Sequence, residues 1–407
     1  MTLQLLTLVG AAGGMALLAL THNAYAVYFM FSALAAVVLV SYASSRLSAR
    51  ALRWRREEAD RVFENEPFTV RVDLTNGGRM PRFALTLRDT LPRFVESDDA
   101  PEFVLPALWP RQRVTLSYRA RGRKRGVYAL GPLSVEVSDP FGVFQRKALI
   151  PAHGESVVYP RPVPLDGDLG RSALSARGDA TGEHARAYEA GLDFYGIRDY
   201  QPGDELRRIH WPATAHHGRL TVIEFDRSAS DNLAVVLDAK AGTEFGAGVD
   251  TTLEVGVRAA ASLLHWALVS EGTGFLAVDS AEGPRWLGVD RLDREYELLE
   301  LLARVEATGT MPVSAVADWA ARRTPAGATV CVVTAAPDAG LPAVLGAAAR
   351  RQIRAAAVVL DPHSFDSRAG YPEEMIRALS AVGAATAAVR RGDNLQDALE
   401  SVLRAGE

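Results

Sequence analysis

The chain has 407 residues, enough for two or three domains. Its 48% apolar and 23% charged residues are the composition of a folded protein, without the bias that marks disorder. A formal charge of −4 leaves no electrostatic footprint for nucleic acid, and a single cysteine excludes both a disulfide framework and a Cys-rich zinc site.

Leu3 to Leu20 and Ala24 to Tyr42 carry no charge, and each run is close to the roughly 20 residues that a helix needs to cross a bilayer. Thr21, His22 and Asn23 form a short polar link, which predicts an antiparallel helical hairpin over residues 1–45. Tyr25, Tyr28 and Tyr42 sit toward the ends of the second run, where aromatic rings favour the interface. Gly10 and Gly14 give a spacing that lets helices approach closely. A signal peptide is the other reading, since Ala24-Tyr25-Ala26 resembles a cleavage site. Against it, no positive charge precedes the first run, and a second follows at once. Arg46, Arg50, Arg53, Arg55 and Arg56 follow the second run, and the positive-inside rule puts them in the cytoplasm. The expectation is a multi-pass protein of the inner or cytoplasmic membrane with cytoplasmic soluble domains. The lone Cys331 suits a reducing compartment.

Residues 46–160 read as a β-sandwich-like domain. Phe68, Val70, Val72 and Leu74 alternate with polar residues and run into Asn76-Gly77-Gly78, the pattern of a half-buried strand ending in a hairpin. Phe83, Leu85 and Leu87 repeat it, as do Val114, Leu116 and Tyr118, and Leu133, Val135 and Val137 before the turn Asp139-Pro140-Phe141-Gly142. Arg119, Arg121, Arg123, Lys124 and Arg125 form a basic cluster. It reads either as a solvated hairpin tip or as a contact for anionic headgroups of membrane lipid.

Residues 161–230 link this domain to an α/β domain over 231–407. Apolar strands at Asn232–Leu237, Gly274–Val278, Thr329–Val333, Ala355–Leu360 and Ala384–Val389 alternate with helical stretches, notably Thr252–Val269 and Tyr296–Val305. That alternation predicts a doubly wound, mostly parallel sheet. Chemistry in such sheets sits at the carboxyl ends of strands, where Asp238, Thr334, Asp338 and Asp361 fall. No glycine-rich phosphate motif opens any helix. Cys331 falls mid-strand, where an inert buried thiol is expected.

The linker holds Gly191-Leu192-Asp193-Phe194-Tyr195-Gly196-Ile197-Arg198-Asp199-Tyr200-Gln201-Pro202-Gly203-Asp204-Glu205-Leu206-Arg207-Arg208-Ile209-His210-Trp211. Pro202-Gly203 fits a type II turn, and Glu205 to Trp211 fits one or two helical turns. Arg198, Arg207 and Arg208 offer guanidinium forks to Asp199, Asp204 or a partner's carboxylate. An interdomain ion-pair lattice and a partner- or anion-binding surface both remain open. His210, His216 and His217 read as packing or surface histidines.

Ile197–Trp211, with Ser138-Asp139-Pro140-Phe141-Gly142 and Arg123-Lys124-Arg125-Gly126-Val127-Tyr128, resembles the domain of unknown function 58 family. The resemblance implies two N-terminal membrane helices, a β-rich region, a von Willebrand factor A-like domain and action with AAA+ ATPases of the MoxR type. It marks Arg198, Tyr200, Gly203, Asp204, Arg207, Arg208, His210, Trp211 and Asp238 as partner or interdomain residues. The sequence departs from the family pattern at Pro212, where a Lys is usual, and at His216 or His217, where an Arg is.

A von Willebrand factor A domain often holds Mg²⁺ through Asp-x-Ser-x-Ser, a Thr and a second Asp. Here Asp238 is followed by Lys240 and Gly242 in the serine positions, which leaves Asp238, Thr252 (or Thr251) and Asp338 as a degenerate set. No cofactor and no catalytic residue is expected. The leading expectation is a membrane-anchored, non-enzymatic scaffold or adaptor for a MoxR-type AAA+ ATPase. The alternatives are a hydrolase using His210 with Asp204 or Asp238, and a metal-dependent adhesion module.

Overall fold

The computed structural model describes residues 3–22, 25–48, 52–57, 61–151, 154–166, 192–199, 211, 214–215, 218–227 and 232–405. The chain divides into two units, Met1–Tyr159 and Pro160–Glu407.

The first unit opens with α1 (Leu3–His22) and α2 (Tyr25–Ser48). From Tyr25 to Arg46, α2 is long and apolar enough to cross a bilayer; the apolar part of α1, Leu6–Thr21, is shorter. Leu17, Leu20, Phe29 and Leu39 on these helices are 67–77% exposed, apolar surface that water does not tolerate in such quantity.

Eleven strands follow: β1 (Leu52–Arg56), β2 (Val62–Phe63), β3 (Pro67–Asn76), β4 (Arg82–Asp89), β5 (Val95–Ser97), β6 (Glu102–Leu108), β7 (Arg113–Gly122), β8 (Gly126–Leu130), β9 (Leu133–Ser138), β10 (Gln145–Ile150) and β11 (Gly154–Tyr159). They form two four-stranded antiparallel sheets, β1-β3-β7-β5 and β10-β9-β4-β6, and a three-stranded sheet β2-β11-β8. The alternating residues of β3, β7 and β9 turn one face inward. Val70, Leu74, Leu116 and Tyr118 from one sheet meet Leu85, Leu87, Val135 and Val137 from the other in a single buried cluster.

The turn at Asn76-Gly77-Gly78 is not the hairpin that its sequence predicts. β3 pairs with β1 and β7, whereas β4 pairs with β6 and β9, so the chain crosses from one sheet to the other. The buried Asn76 side chain fixes the crossing, donating to the carbonyls of Met80 (2.9 Å) and Leu108 (3.0 Å).

Between the sheets lies an ionic group joined over long separations. Arg56 Nη2 donates to Asp89 Oδ1 (2.9 Å) and Oδ2 (2.8 Å), and the Tyr118 hydroxyl donates to Asp89 Oδ2 at 2.6 Å. Arg56 is therefore a core residue of the sandwich, unlike exposed Arg53 and Arg55 of the same basic run. The cluster Arg119–Arg125 is also taken up locally. Arg123 bonds Glu96 at 2.8 Å, Lys124 lies over the Phe94 ring, and Arg125 is buried with its N–H on Glu64.

The second unit begins with β12 (Leu192–Asp199) paired antiparallel with β13 (Thr221–Arg227). Then come β14 (Leu233–Leu237), β15 (Gly246–Ala247), β16 (Asp250–Thr251), α3 (Thr252–Val269), β17 (Gly274–Ser280), β18 (Gly283–Val289), α4 (Glu295–Arg304), α5 (Val313–Ala321), β19 (Thr329–Thr334), α6 (Leu341–Ala349), β20 (Arg354–Leu360), α7 (Pro362–Phe365), α8 (Glu373–Ala381), β21 (Ala385–Val389) and α9 (Leu395–Ala405). The main sheet has the order β18-β17-β14-β19-β20-β21. Five strands are parallel, and β18 joins the edge antiparallel. The mostly parallel sheet agrees with the apolar runs in the sequence. The edge strand β18 was not legible, because Gly283, Pro284 and Gly288 break its pattern.

Helix α3 runs over the residues its periodicity predicts. Val257, Ala260 and Leu264 are buried against the sheet, and the Thr251 hydroxyl caps its first turn by accepting from the N–H of Glu254 at 3.2 Å. His265 on α3 pairs with Glu295 at the start of α4, Nδ1 to Oε1, at 2.8 Å. This hydrogen bond raises the imidazole pKa, against an opposing effect of burial. A histidine whose folded pKa is raised adds stability below its unfolded value of about 6.5, and loses it as pH rises through the folded value. Stability of this unit is therefore expected to fall across that window. Glu295→Gln should return the His265 titration, followed by NMR, toward its ordinary value.

Candidate functional site

The strand order reverses between β14 and β19, so the connections that leave their carboxyl ends run in opposite directions, which marks the usual ligand position in an open α/β sheet. Asp238 is the first residue after β14, and Thr334 is the last of β19. The Thr334 hydroxyl donates to Asp238 Oδ2 at 2.7 Å, and the Lys240 N–H donates to Oδ1 at 3.2 Å. Leu237, Asp238, Thr252, Val333, Thr334 and Leu360 line a narrow cleft with room for about one water molecule.

Burial raises the pKa of Asp238, and the charge of Asp338 adds to the rise; Thr334, the Lys240 N–H and the Lys240 charge oppose it. Asp338 goes the other way. Burial alone would raise its pKa, but the N–H of Ser314 (2.9 Å), with the Ser314 side chain, and the N–H of Gly340 (2.8 Å) lower it. The charge of Lys240 draws both carboxyls down, so one half-buried ammonium serves two acids.

A fourth strand-end acid, Asp279 on β17, escaped the sequence reading. Its Oδ2 accepts from the N–H groups of Thr310 (2.6 Å) and Met311 (2.8 Å). This fixes residues 309–311 against the loop after β14, where the Gly309 N–H reaches the Ala239 carbonyl and the Ala241 N–H reaches that of Gly309, both at 2.8 Å. A Cβ on Gly309 would lie 2.9 Å from the Asp279 carbonyl oxygen and 3.0 Å from that of Ala239. Both are main-chain atoms that cannot swing aside. Gly309→Ala is expected to cost about 1–3 kcal/mol, by overpacking, in a denaturation measurement.

The degenerate metal set does not suit Mg²⁺. The Thr252 hydroxyl accepts from the Phe245 N–H at 3.0 Å, and both Asp338 oxygens accept from backbone N–H groups. Lys240 already supplies a positive charge to Asp238 and Asp338, where a divalent ion would have to compete with it. Among the described residues, no group of three or more His, Cys, Asp or Glu is placed to hold a metal ion. Cys331 is buried, and burial pushes its thiol up to about 12.

Of the linker residues, Tyr200, Gly203, Asp204, Arg207, Arg208 and His210 lie outside the described residues, as do His216 and His217. Arg198 is on β12 opposite Val222 of β13, and Trp211 is 64% exposed. The β12–β13 pairing brings the start of the signature beside Thr221–Arg227, a partnership its sequence does not announce.

Residues 196–291 match the family model described as protein of unknown function DUF58. That stretch carries most of the linker signature, Asp238 and Lys240, α3, β17 and β18. The match supports the DUF58 assignment, as does similarity to the uncharacterized protein YeaD of Bacillus subtilis (strain 168), 23% identical over 311 residues and 73% of each chain. Two solved structures with some likeness are PapD-like domain 7 of human CEP192 and the CARDB domain of PF1109 from Pyrococcus furiosus. The first is 14% identical and covers 27% of this chain and 87% of its own, with a TM-score of 0.20. The second is 15% identical and covers 26% and 94%, with a TM-score of 0.19.

Proposed function

We propose that this DUF58-like chain is a membrane-anchored, non-enzymatic adaptor, whose C-terminal domain is von Willebrand factor A-like and engages a cytoplasmic AAA+ ATPase of the MoxR type. The observation that carries the reading is Asp238 at the switch point. It is a half-buried carboxyl held by the Thr334 hydroxyl and the Lys240 N–H, and with Thr334 it lines a narrow cleft. Lys240 offers a cation to an acidic side chain of a partner, and Asp238 and Thr334 offer a hydrogen-bonding rim. The anchor is supported by the exposed leucines and phenylalanine of α1 and α2. In this reading both helices cross the bilayer, since the 20 residues of α1 reach about 30 Å. The arginines after α2 then hold the soluble domains in the cytoplasm.

The test is affinity capture of the detergent-solubilised full chain with and without ATP, read by mass spectrometry. Nucleotide-sensitive recovery of an AAA+ ATPase is expected. Its absence from captures of folded protein, with the ATPase present in the lysate, would overturn the adaptor reading.

A further inference from the structure

We propose that the end of the β-sandwich next to α2 is a lipid-contacting surface, formed by three loops that rest on a membrane leaflet bearing anionic headgroups. The inference rests on the reading that α2 crosses the bilayer. Within the first unit, the end of α2 packs on the loop between β9 and β10. The Tyr42 ring meets Phe144 edge-on at 5.8 Å, and Arg146 Nε reaches Ser45 Oγ at 3.5 Å. Tyr42 also accepts from Arg46 through its hydroxyl at 2.6 Å, an aromatic–cation pair of the kind that settles at a bilayer interface.

Strand register places two more loops at that same end. Phe83 at the start of β4 pairs with Ser138 at the end of β9, and Arg82 pairs with Leu108 at the end of β6. The N–H of Arg111 bonds the Asn76 carbonyl (2.8 Å), tying the β6–β7 loop to the end of β3. These loops are Gly77-Gly78-Arg79-Met80-Pro81, Trp109-Pro110-Arg111-Gln112 and Asp139-Pro140-Phe141-Gly142-Val143-Phe144.

What the loops expose is selective. Met80, Trp109 and Phe141 are 54–58% exposed although they are large and apolar, and Arg79 and Arg111 are exposed beside them. The one acid in the three loops, Asp139, is buried, with its oxygens on the N–H groups of Phe141 (3.0 Å) and Phe144 (2.7 Å). The surface therefore presents apolar and aromatic tips with cations and no exposed carboxylate, the chemistry of an anionic bilayer interface. At the other end of β7, roughly 25–30 Å away along the strand, Glu96 and Asp98 pair with Arg123 and Arg121. The two ends of the sandwich thus differ in exposed carboxylates, and the end whose loops lack them is where α2 arrives.

The test uses the full chain in phosphatidylcholine–phosphatidylglycerol vesicles with brominated acyl chains, which quench nearby tryptophans. The protein is expected to stay with the vesicles through alkaline extraction. Trp109→Phe should cut the quenched part of the emission by about twofold, as expected for a ring held at the interface. Arg79→Glu with Arg111→Glu should lower the quenching of Trp109 severalfold in phosphatidylglycerol vesicles, since each reversed charge opposes the leaflet potential. Retention with Trp109 unquenched would overturn the surface and leave the anchor standing. Quenching untouched by the two charge reversals would overturn the assignment to anionic lipid. Release by alkaline extraction would remove the anchor and the surface together.

Discussion

Asp89→Ala is expected to destabilise the β-sandwich by about 3–5 kcal/mol, the cost of stranding one member of a buried ion pair. The Arg56 and Asp89 side chains are only 2% and 1% exposed, so neither charge finds water when the other is removed. The substitution also takes the acceptor from the Tyr118 hydroxyl, whose pKa burial raises first and the Asp89 hydrogen bond raises further. Gly154 shows how tightly the guanidinium stem is held, since a Cβ there would lie 2.4 Å from Arg56 Cδ. Denaturant unfolding of the full chain in detergent would measure the loss. Arg56→Met combined with Asp89→Leu should recover most of it, because apolar replacement of both partners removes the unpaired charge. A loss below about 1 kcal/mol for Asp89→Ala would mean that the pair behaves as a solvated one.

That pair shows where sequence reading stops. Alternation of apolar residues decides which face of a strand is buried, and it placed Val70, Leu116 and Val135 inward correctly. It does not decide which strand lies alongside. For that reason Asn76-Gly77-Gly78 read as a hairpin, although β3 and β4 belong to different sheets. Arg56 looked like one more cation flanking a membrane helix, because its partner is 33 residues away. The α/β unit was more legible. Parallel strands buried on both faces are continuous apolar runs, and α3 has both a capping Thr251 and a consistent apolar face. At the candidate site, the strand-end positions of Asp238 and Asp338 followed from the strand limits alone. Their different fates did not. Asp338 is lowered by N–H groups of Ser314 and Gly340, and the Ser314 group lies 24 residues away, while Asp238 is raised by burial that only the folded sheet supplies.

The contrast between those two acids makes Asp238→Asn the most informative substitution at the site. An acid with a raised folded pKa binds its proton more tightly in the folded state. It therefore adds stability below its unfolded value of about 3.9, and loses that contribution as pH rises through the folded value. At neutral pH the ionised Asp238 opposes folding, so Asp238→Asn should raise the melting temperature there and flatten the acid limb of the stability profile. The amide oxygen can still accept from the Lys240 N–H, and the amide NH2 can donate to the Thr334 hydroxyl once that hydroxyl turns its own proton to the Ala336 carbonyl at 3.2 Å, so the local geometry should survive. Binding should move in the opposite direction. Removing this charge alters the rim that the proposed AAA+ partner would meet, and a loss of about thirtyfold or more in affinity is expected if the carboxylate is desolvated in that complex. Gained stability with lost capture would mark Asp238 as a residue kept for binding at the expense of folding. Gained stability with unchanged capture of the ATPase would place the contact elsewhere on the chain and remove Asp238 from the interface.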